Sequence, residues 1–344
     1  MGAAGTLTPL KLMGVPGSPY TRKMLAVLRY RHIPYRLLMG GSGGPPDGLP
    51  RPKVPLLPTF FLPDADGVVQ AVTDSTPLIR RFEREYPDRP IIPADPALAF
   101  IDALLEDYGD EWLTKAMFHY RWHYADDIAR AGEILPRWTG MKRSEAELAT
   151  MSKFISERQI SRLYVVGSNP VTAPVIEASY ERFLTLFAKH LEAHSYLLGE
   201  RPGSGDFAFF GQLTALTHFD PTPMALTLAT APRIYTWVDI VEDLSGLEPG
   251  DWLDLKAPQP TLKALLGEIG RTYVPVLLAN GAALMAQAPE FETTIDGQRW
   301  AQPTFPYHGK CLMALRAQHG ALPADARATV DALLAGTGCE RLFT

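Results

Sequence analysis

Ser18-Pro19-Tyr20-Thr21 is the first stretch whose residue types and order could do chemistry. Read plainly, Ser18 is a helix N-cap and Pro19 a preset first helical residue. The same hydroxyl, together with the unpaired first-turn amides and the positive end of the helix dipole, would also hold an anion. A thiolate there would have its pKa drawn from about 8.5 toward neutrality. Asp74-Ser75, just before Thr76-Pro77, is a second such start. By itself it is a cap; as a site it offers a carboxylate to an ammonium, and a hydroxyl plus amides to a carboxylate. His119 and His123 stand i, i+4, with Asp126 and Asp127 one turn further, a spacing that could give one metal two imidazoles and a carboxylate. The aromatic crowd from Phe118 to Tyr124 and the lack of the HExxH glutamate favour packing or pocket lining, so no metal is expected. Glu106, Asp107, Asp110 and Glu111 read as a solvated or interdomain face rather than a catalytic carboxylate pair. No phosphate-binding Gly-rich loop, GxSxG elbow or dinucleotide fingerprint occurs.

The elements that would carry these residues follow from patterning. Leu10–Val15 alternates and stops at Pro16-Gly17, a strand ending in a turn; Met24, Leu25 and Leu28 then recur at helical spacing, and Pro34 returns the chain to extended structure. Gly40–Pro55 is irregular. Thr59–Leu62 and Val68–Val72 flank Pro63–Gly67 as a β-hairpin, and a helix follows Asp74. Beyond a Pro-rich linker ending near Pro96 the strand signals largely vanish. Helices are predicted at about Ala97–Arg130, Val175–Leu197, from Asp206, Thr261–Ala286 and Tyr307–His319. The division is residues 1–90, with order β-α-β then β-β-α, and residues 96–344, all helical.

The 344 residues, 46% hydrophobic and 21% charged, suit a soluble globular chain of two domains and exclude disorder, collagen and coiled coil. No run approaches the roughly 18 apolar residues of a membrane span. The net charge of −5 is split as +5 on residues 1–90 and −10 on the rest, which would draw a small anion to the first domain and argues against nucleic acid. Two cysteines, Cys311 and Cys339, make no zinc knuckle or disulfide framework, so a reducing cytoplasm is expected. Met1–Thr6 formally matches a myristoylation pattern but reads as a flexible leader.

On three motifs the chain resembles a glutathione transferase over most of its length. Ser18-Pro19-Tyr20-Thr21 stands where glutaredoxins have CPYC, omega transferases CPF, and tau transferases SPF with a thiol-activating serine. Asp74-Ser75 looks like the Glu/Asp-Ser pair that binds the γ-glutamyl end of glutathione. Leu198–Ala208 is similar to the run LxGxxPSxADFA, with Gly203 in the serine's place and Ser204 one residue late, so that its cap would rest on Asp206. The resemblance implies a thioredoxin-like α/β domain followed by an all-α domain, a homodimer, and glutathione as co-substrate. It implies Ser18 as the catalytic hydroxyl and Tyr20, Lys53, Leu57, Pro58, Asp74 and Ser75 as glutathione-binding residues. It also implies a cis-proline before the third strand. Val54–Pro55 and Leu57–Pro58 are both candidates; the latter is favoured because the former would leave Pro58 inside a ladder. With Ser18 and Thr21 in both cysteine positions, dithiol exchange on the protein is closed at this corner. Tyr108, Trp112, Lys115 and His119 share one helical face and are expected to form the pocket for a hydrophobic electrophile. The reaction would be transfer, isomerisation or dehalogenation; the rival is a binding or assembly module without turnover, and a metal hydrolase on His119 and His123 is the weaker third. The chain is longer than is usual for the family, with added segments around Arg130–Pro174 and after Ala257.

Overall fold

The computed structural model describes residues 8–40, 44–46 and 48–344. Met1–Thr6 and part of the Gly40–Gly44 loop lie outside the described residues. Strand β1 (Leu10–Gly14), helix α1 (Pro19–Tyr30) and strand β2 (Tyr35–Met39) form a β-α-β unit with the strands parallel, Leu10 opposite Tyr35. Strand β3 (Thr59–Pro63) runs antiparallel to β1, and β4 (Val69–Val72) antiparallel to β3, giving the order β2-β1-β3-β4. The β3–β4 turn is set locally: the Asp64 carboxylate accepts the Asp66 and Val68 amides, and Gly67 takes φ +78°. Helix α2 (Ser75–Glu85) closes a thioredoxin-like layer whose core includes Leu12, Met24, Val27, Phe60, Ile79 and Phe82.

The remainder is helical. In place of one continuous helix from Ala97 to Arg130, the chain forms α3 (Pro96–Tyr108), a π-turn (Gly109–Leu113), α4 (Thr114–His123) and α5 (Ala125–Gly140). At Gly109 a side chain would collide with Ala208 and Phe209, so the segment runs too close to its neighbour for any larger residue. The break before α5 is Tyr124, extended at φ −93°, ψ 141°, whose hydroxyl turns to Glu177 (2.6 Å) while Asp127 accepts the Thr222 amide (3.0 Å). Then follow α6 (Glu145–Ile160), a short 3-10 turn (Leu163–Val166), α7 (Ala173–His190), α8 (Ser204–His218), α9 (Pro221–Thr230), α10 (Pro232–Val241) and α11 (Pro260–Met285). One feature departs from all-helical patterning: an antiparallel hairpin of β5 (Glu290–Ile295) and β6 (Gln298–Pro303), turned at Asp296-Gly297. Helices α12 (Pro306–Gly320) and α13 (Ala324–Leu334) then return onto α3, where Phe100, His319 and Phe343 pack ring to ring.

Helix α8 is the hinge pin between the halves. At Gly211 any side chain would meet the Pro19 carbonyl and the Lys23 side chain, so α8 lies directly on α1. Its buried start is capped as the sequence suggests, with Asp206 accepting the Gly203 and Leu197 amides (2.9 and 2.8 Å). It is capped a second time from α3: Asp102 accepts the Ser204 and Gly205 amides and the Ser204 hydroxyl. Among the described residues no helix is long and apolar enough to cross a membrane.

Candidate functional site

Ser18 sits where β1 hands the chain to α1. Its φ, ψ of −93°, 117° are extended, its Oγ accepts the Thr21 amide at 3.2 Å, and its hydroxyl points to the Leu57 carbonyl at 3.4 Å. That last distance is long for an O–H···O bond. The oxygen is therefore anchored from the helix side while its proton is only weakly committed. The Leu57–Pro58 peptide is cis, which brings residue 57 against the same corner. Gly17, next to Ser18, has no room for a side chain, because Trp138 and Leu135 of α5 press on it. Lys53 is exposed on the loop before Leu57.

Tyr20 does not face the corner. Its hydroxyl donates to the Asp110 carbonyl at 2.7 Å, and burial, reinforced by Glu111 and Asp110, pushes its pKa well up. The ring is a strut between α1 and the π-turn.

Asp74 begins α2 without capping it: no amide of the first turn bonds its side chain. Its φ of +81° is a region that costs a non-glycine residue on the order of 1–3 kcal/mol. The carboxylate instead accepts the Tyr307 hydroxyl of α12 at 2.9 Å. Ser75 is buried, and its Oγ accepts from the Lys23 ammonium at 3.1 Å, leaving its own proton to give.

Lys23 was not visible as a functional residue in the sequence. Only 1% exposed, it also binds Glu106 (2.8 Å) and Asp110 (2.6 Å), and Arg80 reaches Glu106 from α2 at 2.8 Å. Burial disfavours the ammonium, but Asp110 and Glu106 outweigh it and hold the Lys23 pKa above its ordinary value. Glu106 is buried too, yet Arg80 and Lys23 together pull its carboxyl down, whereas burial pushes Asp110, which meets Lys23 alone, up. The acidic cluster is thus interdomain and buried, not solvated. Neighbouring Asp107 accepts the Tyr273 hydroxyl at 2.8 Å, and burial next to Glu111 pushes its carboxyl up to about 7.

The four residues expected to line an electrophile pocket are all buried in the interior. Tyr108 packs on Phe183, Phe209 and Tyr273; the Trp112 indole donates to Ser179 (3.2 Å) and lies 5.4 Å from the Trp300 ring. The Lys115 ammonium donates to the Val166 carbonyl (3.1 Å), and His119 contacts Ser168 and Glu177. The roof is supplied by the added segments, Val166 and Ser168 from one and Trp300 of β6 from the other. An open cavity of about 230 Å³ lies elsewhere, beside the Ser18 corner, lined among others by Pro16, Gly17, Pro19, Trp138, His218 and Phe219.

With this geometry in place, comparison with known proteins gives the following. Residues 12–90 match the family model of the glutathione S-transferase N-terminal domain. Among solved structures, the chain is similar to a glutathione S-transferase of Methylobacterium radiotolerans in complex with glutathione sulfonate, with 19% identity, 73% of this chain and 99% of that one covered, and a TM-score of 0.40. It is similar to the Tau class glutathione S-transferase of mango, Mangifera indica, at 17% identity, 69% and 89% coverage, and a TM-score of 0.42. It is also similar to a glutathione transferase of Burkholderia graminis with two glutathione molecules bound per subunit, at 15% identity, 77% and 90% coverage, and a TM-score of 0.42. No curated protein matches the sequence. The thioredoxin-like first domain, residues 12–90, is thus what the chain shares with the N-terminal domain of glutathione S-transferases.

Proposed function

We propose that the chain is a glutathione-dependent transferase in which the first domain (residues 1–90) binds the tripeptide and the second (96–344) shapes the site for the other substrate. The observation that carries this reading is the Ser18 corner: a hydroxyl anchored by the Thr21 amide, a helix start, and the backbone of residue 57 converge there. Asp74 takes the γ-glutamyl ammonium, and Ser75 with the first amides of α2 takes its α-carboxylate, with the Lys23 charge behind the Ser75 oxygen. Leu57, held by Pro58, takes the cysteinyl backbone, and Lys53 the glycyl carboxylate. The thiol gives its proton to water, and the Ser18 hydroxyl swings from the Leu57 carbonyl to donate to the sulfur anion. The sulfur lone pair then forms a bond to an electrophilic carbon, whose leaving group departs with its bonding electrons. The second substrate enters the 230 Å³ cavity flanked by Gly17 and Pro19; this is below the range of about 300–1,000 Å³ typical of drug-sized ligands, so a small apolar electrophile fits.

A symmetric dimer belongs to the same reading; Val54, Leu56, Val68 and Val69, exposed on the first domain, are candidate contacts. So does a reducing compartment such as the cytoplasm, which suits two buried free thiols.

One observation favours a second reading, a binding or assembly module without turnover: the Tyr307 hydroxyl already occupies Asp74. Retention on glutathione resin combined with an electrophile panel separates the two. The transferase reading expects retention by both wild type and Ser18→Ala, with turnover falling on the order of 100-fold in the variant. Retention without any turnover by wild type supports the module, and failure to bind glutathione at millimolar concentration removes the transferase reading.

A further inference from the structure

His119 and His123 meet a third ligand that their spacing did not reveal. Asp126 and Asp127 lie beyond the break at Tyr124, and Asp127 is spent on the Thr222 amide. Glu177 of α7 takes their place: one ligand atom from each of His119, His123 and Glu177 lies within 4.8 Å of the others. We propose that these three residues bind a divalent transition-metal ion of the Zn²⁺ class, with water in the fourth position.

The Nε2 of His119 and Oε1 of Glu177 are 3.0 Å apart, close to the separation of two ligands that share a tetrahedral ion with bonds of roughly 2.0–2.1 Å. The imidazole rings of His119 and His123 stack with centroids 4.6 Å apart. The outer contacts fit as well. Nδ1 of His119 is 2.8 Å from the buried Ser168 hydroxyl, which fixes the ring and, with the ion bound, would accept the Nδ1 proton so that the Nε2 lone pair is free for the ion. The Tyr124 hydroxyl donates to Glu177 Oε1 at 2.6 Å and fixes the carboxylate. His123 is exposed, so the ion is reachable from solvent. The contrast within the molecule is His190 and His194, also i, i+4, where both nitrogens of His190 are taken by Thr261 and the Tyr196 carbonyl. The site would tie α4 to α7 and, through Ser168, to the added segment.

The test uses full-length protein stripped with chelator. Calorimetric titration with Zn²⁺ is expected to give one site per chain, and Co²⁺ in its place is expected to give the intense visible d–d bands of a four-coordinate ion. His123→Ala removes an exposed side chain, so the apo fold, followed by circular dichroism, is expected to stay intact. Its affinity should fall by more than the roughly 10–100-fold that loss of an outer partner costs. His194→Ala should bind as wild type does. Zn²⁺ should raise the thermal midpoint of wild type and not of His123→Ala. Absence of a Zn²⁺ site in wild type, equal affinity in His123→Ala, or a loss confined to His194→Ala each overturns the assignment.

Discussion

Two places in this molecule gather side chains suited to chemistry, and they differ in what covers them. At the Ser18 corner the hydroxyl proton goes to a carbonyl 3.4 Å away, and a cavity opens alongside. Along Tyr108–His119 every candidate side chain is closed over by Val166, Ser168 or Trp300, or by the ring cluster of α7, α8 and α11. The difference teaches that the two added segments do not extend the cleft. They seal one face of the helical domain and leave the cavity beside the strand-to-helix corner open.

Substitutions sharpen or break that contrast. The largest effect is expected from Lys23→Met, which strands Asp110 in the interior and leaves Glu106 to Arg80 alone. Urea unfolding should show a loss of about 3–5 kcal/mol. Trp112→Ala follows, at about 3–5 kcal/mol for a large buried ring, with no specific change in electrophile KM; an altered KM at unchanged stability would break the contrast by putting Trp112 in a pocket. Trp138→Ala is the opposite case. Lining the cavity beside Ser18, it should raise the electrophile KM while sparing retention on glutathione resin. Protonation gives a further handle. Asp107 holds its proton in the folded chain up to about pH 7, whereas an ordinary carboxyl sheds it near pH 4. The stability this contributes is full below pH 4 and is lost as pH rises through 7. Asp107→Asn, which can still accept from Tyr273, should therefore gain on wild type between pH 5 and pH 8, by about 2 °C or more in thermal midpoint. The smallest effect belongs to Tyr307→Phe, expected to change stability by about 1 kcal/mol or less and to strengthen glutathione binding a few-fold by freeing Asp74.

What was legible in the sequence was local. Ser18 and Pro19 declare a helix start, and the Asp64–Gly67 turn declares β3–β4, because in each the signal lies within a few residues. Two further local signals were present and passed over. Ser144 and Glu147 form the reciprocal cap that starts α6, and Asp296-Gly297 turns the β5–β6 hairpin. The burial of Trp112 was not legible, since its cover, Trp300, lies far along the chain and no spacing around the π-turn encodes it. No signal near Lys23 in the sequence marks it as interior; only the arrival of Glu106 and Asp110 from the second domain makes that position tolerable. Glu177 escaped for the same reason, being brought to His119 by helix packing rather than by sequence proximity.

The Tyr307–Asp74 contact makes α12 a competitor for whatever cation Asp74 receives. A ligand that claims this carboxylate must evict a phenol, and by reciprocity the docking of α12 weakens that ligand by the same factor by which the ligand loosens α12. Amide exchange along Pro306–Gly320 thereby becomes a gauge, at the far end of the chain, of whether the first domain is occupied.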